Sequence, residues 1–339
     1  MNPSQPTIPK TRLDPLYEGG LLLVDKPKGI SSFGAIEKIQ HALIKALNVR
    51  KKDAPKMGHG GTLDPFATGL LPICIGGGVK LSRYFLESNK EYTGTIVFGA
   101  STLSGDLTDP IHERTQTVPE DLGEVQKAAD QFVGKPYSQT PPMHSAKKVG
   151  GKPLYELARQ GIEIERAPRI CQIEKFQILS LHKKDDAIQA TFLVRCSAGT
   201  YIRTLAQDLA RSMGSLAFLS ELRRTQTGSK RIEKSESLER ICERITSGQF
   251  ENDVASFIPF HQMLEGFDSI SVSDAEAWAI TRGQQDVLVE IVKRKDSVWP
   301  KRQWQDQEMI VLKKENQRLL AVLRFEKNQW GLERVLCTD

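Results

Sequence analysis

Asp64 stands where the residue types most suggest chemistry. It lies in Met57-Gly58-His59-Gly60-Gly61-Thr62-Leu63-Asp64-Pro65-Phe66-Ala67-Thr68-Gly69-Leu70-Leu71-Pro72. Three glycines and a histidine lead into one acid, a proline fixes φ just after it, and the apolar run Leu70 to Ile75 reads as a buried strand. Such a loop presents a single carboxylate. No other acid occurs between Asp53 and Glu87, which argues against a metal cage or a paired-carboxylate hydrolase site built from this stretch. One carboxylate suits nucleophilic work. As a plain turn, the same residues would only let Asp64 and Thr62 hydrogen-bond the local backbone.

The run His59-Gly60-Gly61-Thr62-Leu63-Asp64-Pro65, followed by Ala67-Thr68-Gly69-Leu70-Leu71, closely resembles the active-site signature of the TruB family of tRNA pseudouridine synthases, and the resemblance implies that Asp64 is the catalytic nucleophile. It continues along the chain. Leu23-Val24-Asp25-Lys26-Pro27-Lys28-Gly29 is similar to the family segment that opens the catalytic domain and supports the active-site loop. Lys90-Glu91-Tyr92 resembles the Lys-x-Tyr pattern whose tyrosine stacks on the target base. Cys196-Ser197-Ala198-Gly199-Thr200-Tyr201-Ile202-Arg203-Thr204-Leu205 is similar to the family's arginine motif, implying that Arg203 pairs with Asp64. Gln139 to Lys148, Gly151 to Gly161 and Leu219 to Gly228 extend the match. Together these imply catalytic roles for Asp64, Tyr92 and Arg203, and substrate contacts for His59, Lys26, Tyr201 and Leu222, with Leu222 an apolar wall of the base pocket. Three departures stand out: His144 where the family often has tyrosine, Ala198 in place of a common lysine, and a basic loop from Asn48 to Lys56 that is longer than expected.

The elements that must hold these residues follow from spacing. Gly20 to Asp25 reads as a short buried strand, and Ser31 or Ser32 caps a helix whose apolar positions are Phe33, Ile36, Ile39, Leu43, Ile44 and Leu47. Val79 to Leu86 reads as a short helix, and Tyr92, Gly94, Ile96 and Phe98 fall on one strand face. Pro119 to Phe132 is amphipathic, and Ile188, Ala190, Phe192, Val194 and Cys196 alternate along another strand. Thr200 is a candidate N-cap for a helix from Tyr201 to Met213 with Ile202, Leu205, Ala206 and Leu209 as its buried stripe. Arg203 then projects off that stripe in the first turn, where a cation is unfavourable unless an anion faces it; pairing with Asp208 is the ordinary alternative. Pro141-Pro142-Met143-His144-Ser145-Ala146 reads as a stiff extended loop with donors for phosphate.

Toward the C-terminus, Arg240 to Ser256 reads as helical and polar. Ser269 to Val272, Asp286 to Val292, Glu308 to Leu312, Leu319 to Phe325 and Trp330 to Cys337 read as short strands, with one helix near Asp274 to Arg282. That pattern suggests a small β-barrel, and the resemblance implies a PUA-like RNA-binding domain there. The expected organisation is a flexible tail at 1–18, a catalytic domain at 19–250 and a PUA-like domain at 256–339. The fold class is α+β, with the mixed, mainly antiparallel central sheet flanked by helices of the pseudouridine-synthase fold.

At 339 residues the chain can bury one large core and a smaller one. No apolar run approaches the roughly 20 residues that span a membrane. The prolines at 3, 6, 9 and 15 lie in a segment without an apolar core or cleavage site, so a tail in a cytoplasmic protein is expected rather than a signal peptide. Five scattered cysteines with no C-x-x-C pair argue against disulfides and against zinc. A net charge of +5 is mild, but cations cluster at Lys45, Arg50, Lys51, Lys52 and Lys56, at Arg223, Arg224, Lys230 and Arg231, and at Lys293, Arg294, Lys295, Lys301 and Arg302.

The function implied is isomerisation of uridine 55 in the tRNA T-loop. The C1′–N1 bond breaks, the uracil turns while bound, and the ring rejoins through C5, without redox step, group donor, cofactor or metal. A carboxylate can attack the sugar or the base ring, and both remain open, as does proton transfer by Tyr92. The target must be flipped out of its loop; Tyr92 can replace lost stacking while His59 occupies the vacated space or contacts the loop that the base left. The expected partner is the T-arm of tRNA, with no membrane, no required protein partner and a monomeric state. Two other classes compete: an RNA-binding folding chaperone, for which Asp64 is dispensable, and a glycosidic hydrolase, which releases free uracil.

Overall fold

The computed structural model describes residues 16, 19–145, 148–149, 151–250, 255–284, 286–299, 303–316 and 318–336. The proline-rich segment before Leu16, together with Ala146, Lys147, Lys301, Arg302 and Cys337, lies outside the described residues.

Strand β1 (Gly19–Lys26) is buried on both faces, as its continuous apolar run requires. The Lys26-Pro27 step ends it. Ser31 Oγ accepts from Gly34 N at 2.9 Å and caps helix α1 (Ser32–Leu47), which Asn48 closes in the left-handed region at φ 51°. Ile36, Ile39, Leu43 and Leu47 form the buried stripe, whereas Phe33 stands 62% exposed off its edge. The chain continues through β2 (Met57–His59), the Asp64 loop, β3 (Thr68–Gly76), a 3-10 turn at Gly77–Leu81, helix α2 (Ser82–Glu87) and β4 (Lys90–Phe98). Then come a hairpin of Ala100–Thr102 with Ile111–Arg114, α3 (Leu122–Asp130), β5 (Pro136–Gln139), α4 (Leu154–Arg159), β6 (Arg169–Lys184) and β7 (Ala187–Cys196). Helix α5 (Ile202–Ser212), β8 (Ala217–Thr227) and α6 (Leu238–Ser247) complete this part.

The central sheet runs in the order Glu236–Ser237, β1, β3, β8, β4, β7, β6, β5, with β2 on the other side of β3. Its neighbours are mainly antiparallel, so the expected mixed sheet flanked by helices is present. One of the two parallel pairings decides where the site sits. Strands β3 and β8 are parallel and meet through only two pairs, Arg223 with Thr68 and Arg224 with Gly69. Gly69 has φ 102°, and a Cβ there would meet the Arg224 carbonyl oxygen at 2.3 Å, so this joint requires glycine. The Asp64 loop runs straight into it.

One apolar core lies under α1, α3, α5 and α6 and takes in Leu22, Val24, Ile96, Phe192, Leu205 and Ile241. On the opposite face, Leu21, Leu23, Leu70 and Cys74 pack with α2 and with the C-terminal part of the chain. Thr200 does not cap α5. Tyr201 occupies the cap position without a side-chain bond, and Thr200 Oγ1 donates instead to the Ser197 carbonyl at 2.9 Å. The stripe of Ile202, Leu205, Ala206 and Leu209 is buried, and so is Arg203.

The C-terminal part contains β9 (Ser269–Val272), α7 (Asp274–Thr281), α8 (Asp286–Val298), β10 (Met309–Lys314), β11 (Leu319–Glu326) and β12 (Gln329–Val335). The strand expected from Asp286 to Val292 is the start of helix α8. Its β-branched content misleads, because Leu288 and Ile291 point into the core together, three residues apart, as a helix allows and a strand does not. The described strands form an open four-stranded sheet, β9-β10-β11-β12, with no pairing of β12 to β9 among the described residues. The expected closed barrel is therefore absent from what is described. Among the described residues no helix is long and apolar enough to cross a membrane.

Candidate active site

The Asp64 loop is pinned from two directions. Ser32, the first residue of α1, donates its hydroxyl to the Leu63 carbonyl at 3.0 Å and accepts from the Leu63 N–H at 2.7 Å. Gly29 N–H donates to the Pro65 carbonyl at 2.7 Å, and Ala67 N–H to the Asp64 carbonyl at 3.1 Å. Lys26, fully buried, donates to the carbonyls of Pro27 and Ile30 at 2.9 and 2.8 Å, shaping the turn that supports the loop. From the other side comes Arg224, 1% exposed, whose guanidinium donates to the carbonyls of Leu70 at 2.7 Å, Gly61 at 3.0 Å and Thr62 at 3.4 Å. These carbonyls lie on both sides of Asp64, and the same guanidinium also reaches the Tyr92 hydroxyl.

Arg203 is the cation that meets the carboxylate. Its Nε donates to Asp64 Oδ2 at 2.9 Å, while its side chain is only 4% exposed against 35% for that of Asp64. Its other nitrogens donate to the carbonyls of Ser104 and, at 2.7 Å, of His144. A second carboxylate, Asp106, lies behind, with Oδ2 3.7 Å from the same Nε. Asp106 is held in its own turn, its Oδ1 accepting from Ser104 Oγ at 3.1 Å, from Thr108 N–H at 2.9 Å and from the Thr108 hydroxyl. A buried guanidinium with two carboxylates at its Nε and a carbonyl on each of its other nitrogens has few other orientations available.

Asp64 opens into a cavity of about 430 Å³, lined among others by Tyr92, Ser145, Tyr201, Arg203, Leu222 and Arg224. Tyr92 rises from β4 and is 8% exposed. Burial pushes its phenol above the ordinary range, so it is a neutral ring at neutral pH. Tyr201 is held by its backbone, whose N–H and carbonyl both bond the buried side chain of Gln139, at 2.8 and 3.0 Å. Leu222 is 6% exposed. The concavity has the size and mixed lining expected of a small-ligand site.

The structure thus brings Asp64, Tyr92, Arg203, Tyr201 and Leu222 around one cavity, and sets Lys26 beneath the loop rather than among the lining residues. His59 is also off the lining. It sits on β2, paired with Ile73, and the described residues give its Nδ1 no hydrogen-bond partner. Burial, with the Arg224 charge adding to it, holds its imidazole below the ordinary range and so neutral.

Three further residues at the site carry no clear signal in the sequence. Arg224 stands out in the sequence only as a member of a basic cluster, although it lies two positions after Leu222 and so shares its face; Arg223 beside it pairs with Asp25 at 2.6 Å. Lys90 lines the cavity and donates to the carbonyls of Phe85, Leu86 and Ser88. Burial first and Arg224 second bring its ammonium down to about 8, and burial brings that of Lys26 to about 8 as well, against an opposing pull from Asp64. Asp106 gives no local signal, since its role depends on a contact with a residue almost a hundred positions away. Of the basic clusters, Arg50, Lys293 and Arg294 pair with Asp53, Glu290 and Glu276 at 2.7 to 2.8 Å.

A family model described as TruB family pseudouridylate synthase (N terminal domain) matches residues 47–202, a span that holds Asp64 and Tyr92. The tRNA pseudouridine synthase B of Bordetella pertussis strain Tohama I is 47% identical over 227 residues, 66% of this chain and 86% of the relative. That of Burkholderia mallei is 36% identical over 330 residues, covering 97% of this chain and 98% of the relative. In fold, the chain is similar to one in a crystal structure of a Cbf5-Nop10-Gar1 complex, with a TM-score of 0.67 at 19% identity over 99% of this chain and 91% of the other.

Proposed function

The chain belongs to the TruB family of pseudouridine synthases, and from that premise we propose that the cavity around Asp64 is the site at which it isomerises uridine in tRNA. The target proposed is uridine 55 of the T-loop, with Asp64 as nucleophile. The observation that carries this reading is the 2.9 Å contact of Arg203 with a carboxylate that remains about one third exposed to a nucleoside-sized cavity.

Each residue then has a physical task. Asp64 attacks either the sugar or the base ring, and Arg203 aims the carboxylate while Asp106 and two carbonyls hold Arg203. The C1′–N1 bond breaks, a C1′–C5 bond forms, and the bond made by Asp64 is broken again so that its carboxylate leaves unchanged. The proton lost at C5 is matched by one gained at N1, so no other reactant enters. Tyr92, a neutral ring at the cavity wall, stacks on the flipped uracil, a contact worth on the order of 1 to 3 kcal/mol. Leu222 and Tyr201 bound the base. Lys26 acts through the loop it supports, and His59, neutral and close to the loop, faces the RNA from which the base has left. Residues 19–250 would form the catalytic domain and residues 256–339 a PUA-like domain that binds RNA; the separate apolar core of the latter supports that division. We place the protein in the cytoplasm, acting as a monomer with no obligatory protein partner.

The test is incubation of an unmodified tRNA transcript with wild type and Asp64→Asn, no cofactor added, and mapping of pseudouridine by chemical adduct and primer extension. Wild type should give a stop in the T-loop, and the variant should lose activity by on the order of 10⁴-fold or more while still binding tRNA. Free uracil among the products would favour the hydrolase. Binding by both proteins with pseudouridine from neither would favour the chaperone.

A further inference from the structure

Helix α2 stands between the C-terminal sheet and the cavity. It has six residues and no side-chain cap at its N-terminus, too short to hold its own shape, so its position is set by what packs on it. On one side Leu81, Tyr84 and Phe85 share an apolar cluster with Val311, Val322 and Leu336 of the C-terminal part. Lys80, just ahead of the helix, donates to the Leu336 carbonyl at 2.8 Å.

The polar edge of this contact is organised by Arg324 on β11, 6% exposed. Its guanidinium forks onto Glu333 of β12, with Nε to Oε2 at 2.7 Å and Nη2 to Oε1 at 2.9 Å. The same Nη2 lies 3.6 Å from Glu87 at the end of α2. Arg83 of α2 returns the contact, 3.5 Å from Glu333 and 2.6 Å from Glu87.

The same helix touches the site in three places. Phe85 packs on Gly60 at the start of the Asp64 loop, so closely that a Cβ on Gly60 would meet that of Phe85 at 2.4 Å. Leu86 lines the cavity. The carbonyls of Phe85 and Leu86 receive the ammonium of Lys90, two residues before Tyr92.

We propose that Arg324 is a positioning residue for the isomerisation: by tying Glu333 to Glu87 it fixes α2, and α2 sets the start of the Asp64 loop and the wall beside Tyr92. This rests on the reading of the Asp64 cavity as the isomerase site. The C-terminal sheet is then part of the framework of the active site, in addition to any contact it makes with RNA.

The test uses the full chain: wild type, Arg324→Met, an Arg83→Gln/Glu87→Gln pair, and all three changes together. Single-turnover pseudouridine formation is measured with enzyme in excess over tRNA, and tRNA affinity by filter retention, well below each protein's unfolding temperature. Arg83 and Glu87 have side chains 58% and 47% exposed, so that pair keeps the fold even if Arg324→Met does not. The expected result is a rate constant lowered about tenfold by Arg324→Met and about threefold by the pair, with affinity within about twofold of wild type. The combined protein should lose about tenfold, because both changes act through α2. Unchanged rate constants, a loss confined to tRNA affinity, or a combined loss near the product of the two would overturn the inference. Absence of pseudouridine from wild type would instead reject the isomerase reading.

Discussion

Two buried arginines flank the Asp64 loop, and their partners differ in kind. On the α5 side, Arg203 faces two carboxylates, Asp64 at 2.9 Å and Asp106 at 3.7 Å. On the β8 side, Arg224 bonds no carboxylate: it donates to the carbonyls of Gly61, Thr62 and Leu70 and reaches the Tyr92 hydroxyl, and two further cations, Lys26 and Lys90, are bonded to carbonyls. A carboxylate that must be aimed needs a charge in a fixed direction, which the first side supplies. A backbone path that must not move needs many donors, which buried cations provide at a cost in desolvation. The first region should therefore control rate and the second stability.

The sharpest test is Arg203→Lys. It keeps the charge, but an ammonium cannot reach Asp64 and two carbonyls in one plane as a guanidinium does. We expect the single-turnover rate to fall by roughly 10²-fold with tRNA affinity nearly unchanged. A fall of less than threefold would mean that charge alone suffices and that the geometry around Arg203 is incidental.

Arg224→Met should behave in the opposite sense. Three carbonyls lose their donor, and with each buried unsatisfied group worth about 1 to 3 kcal/mol, partly relieved by relaxation, the unfolding free energy should drop by about 2 to 4 kcal/mol in a urea titration. Activity at low temperature should fall only about tenfold, through loosening of the loop. If stability is unchanged and activity is abolished, Arg224 belongs with Arg203 and the contrast between the two sides disappears.

The two sides were also unequally visible in the amino-acid sequence. Asp64, Tyr92, Tyr201, Arg203 and Leu222 could be singled out because they sit in runs with a family likeness, and the structure gathers them round one cavity. Lys90 and Arg224 lie in the same runs and are harder, because the likeness implies no role for either. Arg224 reads as one of a pair of surface cations unless the strand's parity is followed. That parity is itself broken, since β8 shifts register between Leu219 and Glu221 and again between Arg224 and Gln226. Asp106 and Ser32 act through contacts distant in sequence, which no local pattern encodes. In the C-terminal part, Asp286 to Val292 is helical against its strand-like pattern, because the packing of α8 overrides the strand preference of its β-branched residues.

The smallest effect expected follows from the lysines of the β8 side, whose charges lack a bonded carboxylate. Lys26 and Lys90 are brought down to about 8 from the ordinary 10.5, so the folded chain releases these protons earlier than the unfolded chain does. Between about pH 8 and 10.5 the unfolded state binds more protons, and stability must rise with pH. Cys74 and Cys196 act oppositely: burial pushes their thiols up to about 12 from 9.0, so the unfolded state loses those protons first and stability falls above about pH 9. The net outcome is a rise in the urea midpoint from pH 7.5 to 9, on the order of 1 kcal/mol for each lysine, flattening or reversing at higher pH. Lys90→Met should remove about half of that rise. A midpoint that is flat or falling from pH 7.5 to 9 in wild type, or an equal rise in the variant, would show that these ammonium groups are better solvated than their burial implies, and the β8 side would no longer differ from the α5 side in how it carries charge.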